Sequence, residues 1–372
     1  MKRLLLVRPL GFATFLLLAC FALSGCGFDT HQSAMQPRGP VARMQYDAFM
    51  VTIWVTGFLF LTVGGALGWA VWRYRSRPGD ENKPLPKQSH GSALVEVGLI
   101  IASAVMLVFV AVPTLQGIMF MHDLPSENGT DAVQVRVTGY QWWWQFEYLD
   151  EGLITANEMV IPVGKPVQLE LIGGDVNHSF WLPRLAGKTD LIPGQTNNMW
   201  IQADEPGMYW GQCAEFCGDS HAFMLFRVRA IPQEEYDTWL AQTLAEDNLE
   251  ADEAPVETAR QNDSAPDQER LAAIERGHQL FLQNCATCHR VQPRAAGVAP
   301  NLHNIAARST IAAGWMENNY ENLHEWIQHS EEVKPGNLMY NGLAGMVGLK
   351  DRQEILTDDN VDAIIAYLDT LD

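Results

Sequence analysis

Two short stretches of the sequence concentrate side chains that can bind metals. The first, CAEFCGDSHAFM, carries Cys213, Cys217, His221 and Met224. The second, CATCH, spans residues 285–289 and has two cysteines followed by a histidine. A close pair of thiols can form a disulfide, act as a redox couple, or bind zinc or another soft metal. The rest of the sequence indicates which of these fates each cysteine pair has.

The CATCH stretch has the CxxCH spacing of covalent c-type haem attachment. Cys285 and Cys288 are placed to form thioethers with the haem vinyl groups, and His289 to bind the iron from one face. Zinc and a redox-active dithiol are the alternatives. An exported unit with helical sequence patterns favours haem over both.

A haem iron bound by His289 needs a sixth ligand, a methionine or histidine from the other side. Met339 in KPGNLMY follows a Lys-Pro-Gly turn after a predicted helix, which resembles the ligand loop of class I cytochromes c. Tyr340 stands where many of those proteins have proline. We predict Met339 as the ligand and keep Met346 in reserve. The histidines in this region are predicted to be surface or helix residues: His303, His324 and His329.

With CATCH assigned to haem, Cys213 and Cys217 remain as a pair, for which a disulfide is the default in an oxidising compartment. The same loop carries His221 and Met224, and His178 lies upstream in GGDVNHSFWLP. Two thiolates, two imidazoles and a thioether favour copper. Zinc accepts two cysteines and two histidines but has no use for the methionine. Two thiolates on one loop can also bridge two copper ions, an arrangement that shares one electron between the ions and suits rapid electron transfer.

The start of the chain predicts export. Two basic residues precede an apolar stretch of about residues 10–23, and small residues follow before Cys26. LSGC resembles the lipobox of bacterial lipoproteins, so residues 1–25 are predicted to be a signal peptide and Cys26 the lipidated residue. An ordinary signal or an uncleaved anchor is the alternative.

Two apolar runs, about residues 48–72 and 93–115, are long enough to cross a membrane as helices within an N-terminal region of residues 26–120. A buried pair of core helices is the alternative. Because the loop between the runs is cationic, it is predicted to be cytoplasmic. The remainder then lies on the periplasmic or outer face of a bacterial cell membrane.

The exported part has three regions. Residues 131–244 alternate β-branched and aromatic residues between glycines and prolines, which predicts an antiparallel sandwich or barrel closed by a helix after Pro232. Residues 245–270 are acidic and poor in apolar residues, which predicts a disordered tether about 30 Å long. Residues 271–372 show helical spacing, with Thr357 as an N-cap. The net charge of −19 argues against nucleic acid as a partner.

Four motifs behind the two-helix hairpin, CAEFCGDSHAFM, DVNHSF, KTDLIPG and GYQWWWQFEY, resemble subunit II of haem-copper cytochrome c oxidase. The added CxxCH unit is similar to the caa3-type form, in which a cytochrome c is fused to that subunit. The resemblance implies a multidomain membrane protein with a two-helix transmembrane hairpin, an all-β cupredoxin Greek-key domain and an all-α class I cytochrome c domain.

The resemblance also implies a binuclear copper centre, CuA. One copper would be bound mainly by His178 and Met224 and the other by His221 and the carbonyl of Glu215. The two bridging ligands would be Cys213 and Cys217.

Three further residues match functional positions of the family. The Glu215 carboxylate matches a ligand of a magnesium ion shared with subunit I, although it could be a solvated loop acid. Trp142 matches the tryptophan through which electrons arrive at copper, although core packing alone could explain it. Glu96 matches an acid at the start of a proton-uptake path, although a membrane-edge glutamate is often just solvated, and a tryptophan that often follows it is missing.

The resemblance implies that electrons pass from haem c through CuA to haem a of subunit I, which also holds haem a3 and CuB. Oxygen would be reduced to water there, with proton pumping, so this chain would not itself reduce oxygen. Subunit III and a soluble cytochrome c are the other expected partners. The alternatives are the electron-input subunit of a CuA-type nitric oxide reductase and a membrane-anchored carrier that acts alone.

Overall fold

The structure is a computed structural model that describes residues 30–79, 84, 91–246, 268–339 and 355–371. Four predicted features fall wholly or largely outside these ranges: the signal peptide of residues 1–25, Cys26, most of the acidic tether and Met346. Two long helices come first, α1 (Pro40–Tyr74) and α2 (Ala93–His122). Their mean hydropathy reaches 1.9 and 2.6, which makes both apolar enough to span a membrane.

Both helices are longer than the apolar runs that predicted them. The first turns of α1 pack on the β domain, where Val41 and Ala42 are buried. Nearby, Arg43 pairs with Asp204 and Arg38 pairs with Glu205. The apolar run alone did not reveal these turns, because contact with the β domain rather than hydropathy determines where α1 begins.

Ten strands follow, and they form two five-stranded sheets packed face to face. Their bounds are β1 (Val133–Tyr140), β2 (Trp143–Tyr148), β3 (Leu153–Ala156), β4 (Glu158–Pro162), β5 (Val167–Gly173), β6 (His178–Trp181), β7 (Lys188–Leu191), β8 (Thr196–Ile201), β9 (Gly207–Cys213) and β10 (Leu225–Ile231). The sheet orders are β3-β2-β1-β5-β8 and β4-β10-β9-β6-β7. A helix, α3 (Gln233–Glu246), follows the last strand, as the sequence predicts.

The sandwich is not wholly antiparallel as the strand pattern suggested. The pairs β1–β5 and β4–β10 are parallel. In each case the chain crosses to the other sheet and returns before the second strand pairs with the first. Alternating burial along β1 and β5 directs every second side chain into the core. Trp144, Phe180 and Phe226 pack there, with the two phenylalanine rings stacked at 4.3 Å between centroids.

The C-terminal domain is mainly helical. Its helices among the described residues include α4 (Gln268–Asn284), α5 (Tyr320–Gln328), α6 (Ser330–Val333) and α7 (Asp358–Leu368), and a short ribbon pairs β11 (Thr310–Ile311) with β12 (Met316–Glu317). Helices α4 and α7 cross at Gly277, where a Cβ would lie 1.8 Å from the Ala363 carbonyl oxygen. This close crossing supports the domain core, in which Phe281 and Tyr367 are buried.

Candidate metal centres

Three strands bring the predicted copper ligands together. Strand β9 ends at Cys213, and a 3-10 helix (His221–Phe223) returns the chain to β10 just after Met224. Strand β6 begins at His178 and pairs with β9, with Phe180 opposite Cys213. This pairing closes a separation of 35 positions in the sequence and puts the upstream histidine beside the thiol loop.

The donor atoms lie within a few ångströms of one another. The two Sγ atoms are 3.8 Å apart. Cys213 Sγ lies 3.9 Å from His178 Nδ1 and 3.2 Å from the Glu215 carbonyl oxygen. Cys217 Sγ lies 3.5 Å from His221 Nδ1 and 3.8 Å from Met224 Sδ. The structure thus gathers the whole set proposed from the sequence, and this soft donor set fits copper.

Both thiols of this loop are free and buried. Their separation is far longer than the roughly 2.05 Å of a disulfide bond. Hydrogen bonding from the Cys217 thiol is the main reason that the pKa of Cys213 falls to about 4, even though burial opposes the change. The same contact and burial raise the pKa of Cys217. The pocket therefore readily holds at least one thiolate, the form that binds a metal.

Asp175 orients the upstream histidine. Its Oδ1 lies 2.9 Å from Nε2 of His178, which leaves Nδ1 facing Cys213. Burial lowers the pKa of His178, but hydrogen bonds with Asp175 and Cys213 outweigh burial and raise it overall. For Asp175 the effects are reversed. Burial raises its pKa, but hydrogen bonds with His178 and with the backbone N–H groups of Gln141 and Val176 outweigh burial and bring that pKa below its ordinary value. An acceptor on the outer nitrogen fixes the ring of a metal-binding histidine in this way.

Glu215 and Glu96 lie at exposed positions. Glu215 is exposed, and its carbonyl oxygen accepts from the Cys213 thiol. Glu96 lies in the first turn of α2. Between the two cysteines, the Phe216 side chain is 76% exposed and its ring contacts that of His221. The loop thus presents an acid and an aromatic side chain on its outer surface.

The predicted haem-binding turn is compact. The backbone N–H groups of Cys288 and His289 both donate to the Cys285 carbonyl, so a single turn carries all three side chains. His289 Nδ1 lies 2.8 Å from the Pro300 carbonyl oxygen and donates to it, which leaves Nε2 available for iron. Burial lowers the pKa of His289, which favours the neutral ring. Both thiols are free, and this donor set fits covalent haem c.

The predicted axial methionine lies beyond the end of α6. Met339 is half-buried and follows the turn formed by Lys334, Pro335 and Gly336. Two of the three histidines predicted to be surface or helix residues lie near acids, with His324 Nε2 3.6 Å from Asp362 and His329 Nδ1 3.9 Å from Glu332. The third, His303, is buried in a turn, so the prediction that it is a surface or helix residue is wrong.

Trp142 lies between the two predicted centres. Its indole N–H donates to the Cys217 carbonyl at 3.1 Å, and Gln141 Nε2 donates to the same oxygen at 2.7 Å. On the other side its ring packs against the turn before Met339, where a Cβ at Gly336 would lie 2.9 Å from Trp142 Cη2. The predicted role of Trp142 in electron transfer is compatible with this position.

Residues 334–336, the turn before the predicted haem ligand Met339 (the haem-ligand turn), are also attached through Lys334 to the β domain, which carries the predicted copper ligands (the copper domain). Its ammonium group is buried and donates to three backbone carbonyls, those of Trp142, Phe223 and Ala312. Burial lowers the pKa of Lys334 to about 7, and the charge of Cys217 partly opposes this. A buried cation is tolerated when hydrogen bonds replace its hydration.

Sequence reasoning did not select Asp175, Gln141 or Lys334. The position of Asp175 three residues before His178 was a usable signal, because metal-binding histidines commonly have a carboxylate partner. Gln141 precedes the highlighted Trp142 and could have been proposed from that adjacency. Lys334 had no signal of this kind, since its partners lie up to 192 positions away.

Comparison with known proteins covers both domains. A family model described as cytochrome c oxidase subunit II, periplasmic domain, matches residues 152–231, and one described as cytochrome c matches residues 274–372. Cytochrome c oxidase subunit 2 of Alkalihalophilus pseudofirmus is 37% identical over 98% of this chain and 96% of that protein. The protein of the same name from Bacillus sp. strain PS3 is 34% identical over 94% of each chain.

The crystal structure of the periplasmic domain of subunit II of cytochrome oxidase of Bradyrhizobium japonicum is 36% identical, covers 30% of this chain and 91% of that chain, and has a TM-score of 0.29. The relatives named cytochrome c oxidase subunit 2 favour that function over a nitric oxide reductase subunit or an independent carrier.

Proposed function

This chain belongs to the cytochrome c oxidase subunit II family, in the form with a fused cytochrome c domain, and we propose that electrons enter its cytochrome domain, cross to its copper domain and leave for subunit I. The two domains imply haem c and copper as cofactors. Oxygen would be reduced to water at haem a3 and CuB of subunit I, with proton pumping. This chain is the electron-input subunit and does not reduce oxygen itself.

The residues that would hold the two cofactors form separate sets. The copper set consists of His178, Cys213, Glu215 through its carbonyl, Cys217, His221 and Met224. The haem set consists of Cys285 and Cys288 as covalent attachments and His289 and Met339 as iron ligands. When bound, these cofactors supply one-electron redox chemistry in which no covalent bond is made or broken.

The chain prepares the copper set before a metal binds. Burial of Cys213, Cys217 and Met224 excludes water from the soft donors. Asp175 fixes the ring of His178 through its outer nitrogen. Such preorganisation limits rearrangement when the charge of the site changes, which favours rapid electron transfer.

The contact position of Trp142 is the observation that carries this proposal. Its ring touches the turn that precedes Met339, and its N–H bonds to the carbonyl of Cys217. The side chain therefore contacts both the copper loop and the turn that precedes the predicted haem ligand Met339. This arrangement supports Trp142 as the residue through which electrons reach the copper domain.

Further roles follow from the family resemblance. We propose that the exposed Glu215 carboxylate binds a magnesium ion shared with subunit I, and that Glu96 leads to a proton-uptake path. Helices α1 and α2 would cross a bacterial cell membrane, with both soluble domains on its periplasmic or outer face. Subunit III and a soluble cytochrome c would be additional partners, and Cys26 would carry a lipid.

Purification of the intact complex tests the electron-input role. The chain should co-purify with a haem a protein, and the complex should consume oxygen when haem c is reduced. Substitution Trp142→Phe should slow transfer from haem c to copper while haem c is still reduced normally. Trp239→Phe is the matched control, because Trp239 packs on Tyr148 in the β domain instead. A stable chain that carries both centres but associates with no haem a protein would contradict the role.

A further inference from the structure

We propose that Lys334 is a positioning residue that holds the haem-ligand turn against Trp142, so that the cytochrome domain passes electrons from one fixed position. This inference rests on the proposed function and deepens it. The sequence predicts a cytochrome domain on a disordered tether, which would have to find the copper domain by diffusion. The described contacts instead attach the two domains to each other.

The geometry around Lys334 suits an ammonium group. Nζ lies 2.6 Å from the Trp142 carbonyl oxygen, 3.0 Å from that of Phe223 and 3.1 Å from that of Ala312. An ammonium has three protons and no acceptor, and here each proton has one carbonyl partner. Two of these carbonyls belong to the copper domain and one to the cytochrome domain, so the cation joins the two.

This lysine is 3% exposed, so water does not replace its partners. Loss of the ammonium would leave three carbonyl acceptors without their donor, and an unpaired buried polar group is costly. Pro335, the next residue along the chain, is also held, because Ser220 Oγ donates to its carbonyl at 2.7 Å. Glu331 Oε1 accepts from the Gly336 N–H at 3.0 Å. The turn before Met339 therefore has partners in both domains.

Other contacts between the copper and cytochrome domains hold the two domains in the same relative orientation. Arg227, whose guanidinium stacks 3.5 Å from the Trp210 ring centroid, donates to the Gly314 carbonyl at 2.7 Å. The Glu158 carboxylate accepts from Ser309 Oγ at 2.8 Å. The Phe223 and Trp315 rings meet edge to face at 4.5 Å. The last pair lies next to the Phe223 carbonyl that accepts from Lys334.

Two backbone amides of the copper domain report directly on this attachment. The Leu225 N–H donates to the Ala313 carbonyl, and the Ile154 N–H donates to the Pro293 carbonyl. Both acceptors belong to the cytochrome domain, so both amides lose their partner when the domains separate. Hydrogen exchange at these amides therefore measures domain separation without depending on catalysis.

The position matters because the two ligand sets would hold groups that exchange single electrons, with haem c as the donor and copper as the acceptor. No bond forms or breaks and no proton has to move. The distance between the two centres then controls the transfer, and a fixed position removes any search by the domain. Substitution of Lys334 should consequently slow this one step without preventing reduction of haem c.

The test compares Lys334→Met with Lys165→Met in the intact oxidase complex. Methionine keeps much of the aliphatic stem and removes the ammonium. Lys165 pairs with Asp131 at the start of β1 and β5, the end remote from Trp142. We expect Lys334→Met to accelerate exchange of the Leu225 and Ile154 amides about tenfold or more, the effect of losing hydrogen bonds from a buried charged group. Lys165→Met should leave both amides unchanged.

The second readout is the rate of transfer from haem c to copper after rapid reduction. In the parent complex this rate should not depend on solvent viscosity, whereas in Lys334→Met it should fall and become viscosity-dependent. Copper and haem spectra should stay unchanged in both variants. Unchanged exchange and an unchanged, viscosity-independent rate in Lys334→Met would overturn the positioning role while leaving electron input intact. Absence of transfer in the parent complex would instead overturn the proposed function.

A milder substitution guards against loss of folding in Lys334→Met. Ser220→Ala removes one hydrogen bond to Pro335 at the same turn and leaves Lys334 in place. It should accelerate exchange at the Leu225 amide by a smaller factor than Lys334→Met. Equal exchange in Ser220→Ala and the parent would contradict the proposal that the copper domain holds this turn in place.

Discussion

The copper and haem regions of this chain are built in different ways. The haem turn takes Cys285, Cys288 and His289 from five consecutive positions, and the backbone of that turn aligns them. The copper region needs His178 from 35 positions upstream, and strand pairing between β6 and β9 places it. A local site therefore depends mainly on its own turn, whereas a composite site depends on the sandwich around it.

Reciprocal cysteine substitutions should have the largest effect, because each should remove one centre and leave the other. In Cys217→Ser, loss of a bridging thiolate should abolish the mixed-valence copper signal in electron spin resonance while covalent haem staining persists. In Cys288→Ser, covalent haem attachment should weaken or fail while the copper signal remains. Unchanged copper content in Cys217→Ser would contradict the copper assignment.

The axial ligand gives the next largest effect. Met339→Leu should shift the haem absorption spectrum toward the high-spin form, because leucine cannot donate a lone pair to iron. Met346→Leu is the matched control and should leave the spectrum unchanged. A high-spin shift that occurs only in Met346→Leu would show that the ligand is Met346.

Removal of the carboxylate partner of His178 should have an intermediate effect. Asp175→Ala should weaken copper binding by about 10- to 100-fold, the usual effect of losing the acceptor behind a histidine ligand. Competition with a chelator measures this affinity. Asp131→Ala, which removes an acid paired with Lys165 at the remote end of the sandwich, should leave copper affinity unchanged. Haem content should stay constant in both variants, because the haem turn does not use either acid.

The smallest expected effect concerns the turn between the two regions. Gly336 and Gly164 both have φ of +77°, but only Gly336 lies against other side chains, those of Trp142 and Asp219. Alanine at either position should cost roughly 1–2 kcal/mol in backbone strain. Only Gly336→Ala should also accelerate exchange of the Leu225 amide, because its Cβ would press on the Trp142 ring. Equal exchange in the two variants would show that this contact does not hold the domains together.

Much of the fold could be predicted because its signals are local. Apolar runs indicated α1 and α2, alternation indicated the strands, and acidic first turns indicated α3 and α7. Parallel pairing of β1 with β5 could not be read from alternation, because the pattern of one strand does not identify its neighbour. The first turns of α1 were missed for a similar reason, since Val41 and Ala42 are buried by the β domain.

The sequence by itself determined which residues could bind metals and what kind of metal they suit. Cysteine spacing, an adjacent histidine and a nearby methionine are chemical facts that hold before folding. Only the tertiary structure decided that His178 meets the thiol loop and that Asp175 orients the His178 ring. It also decided that Lys334 donates to the Trp142 carbonyl, 192 positions away in the sequence. Such contacts depend on how whole strands and domains pack, and that packing is not encoded in any short stretch of residues.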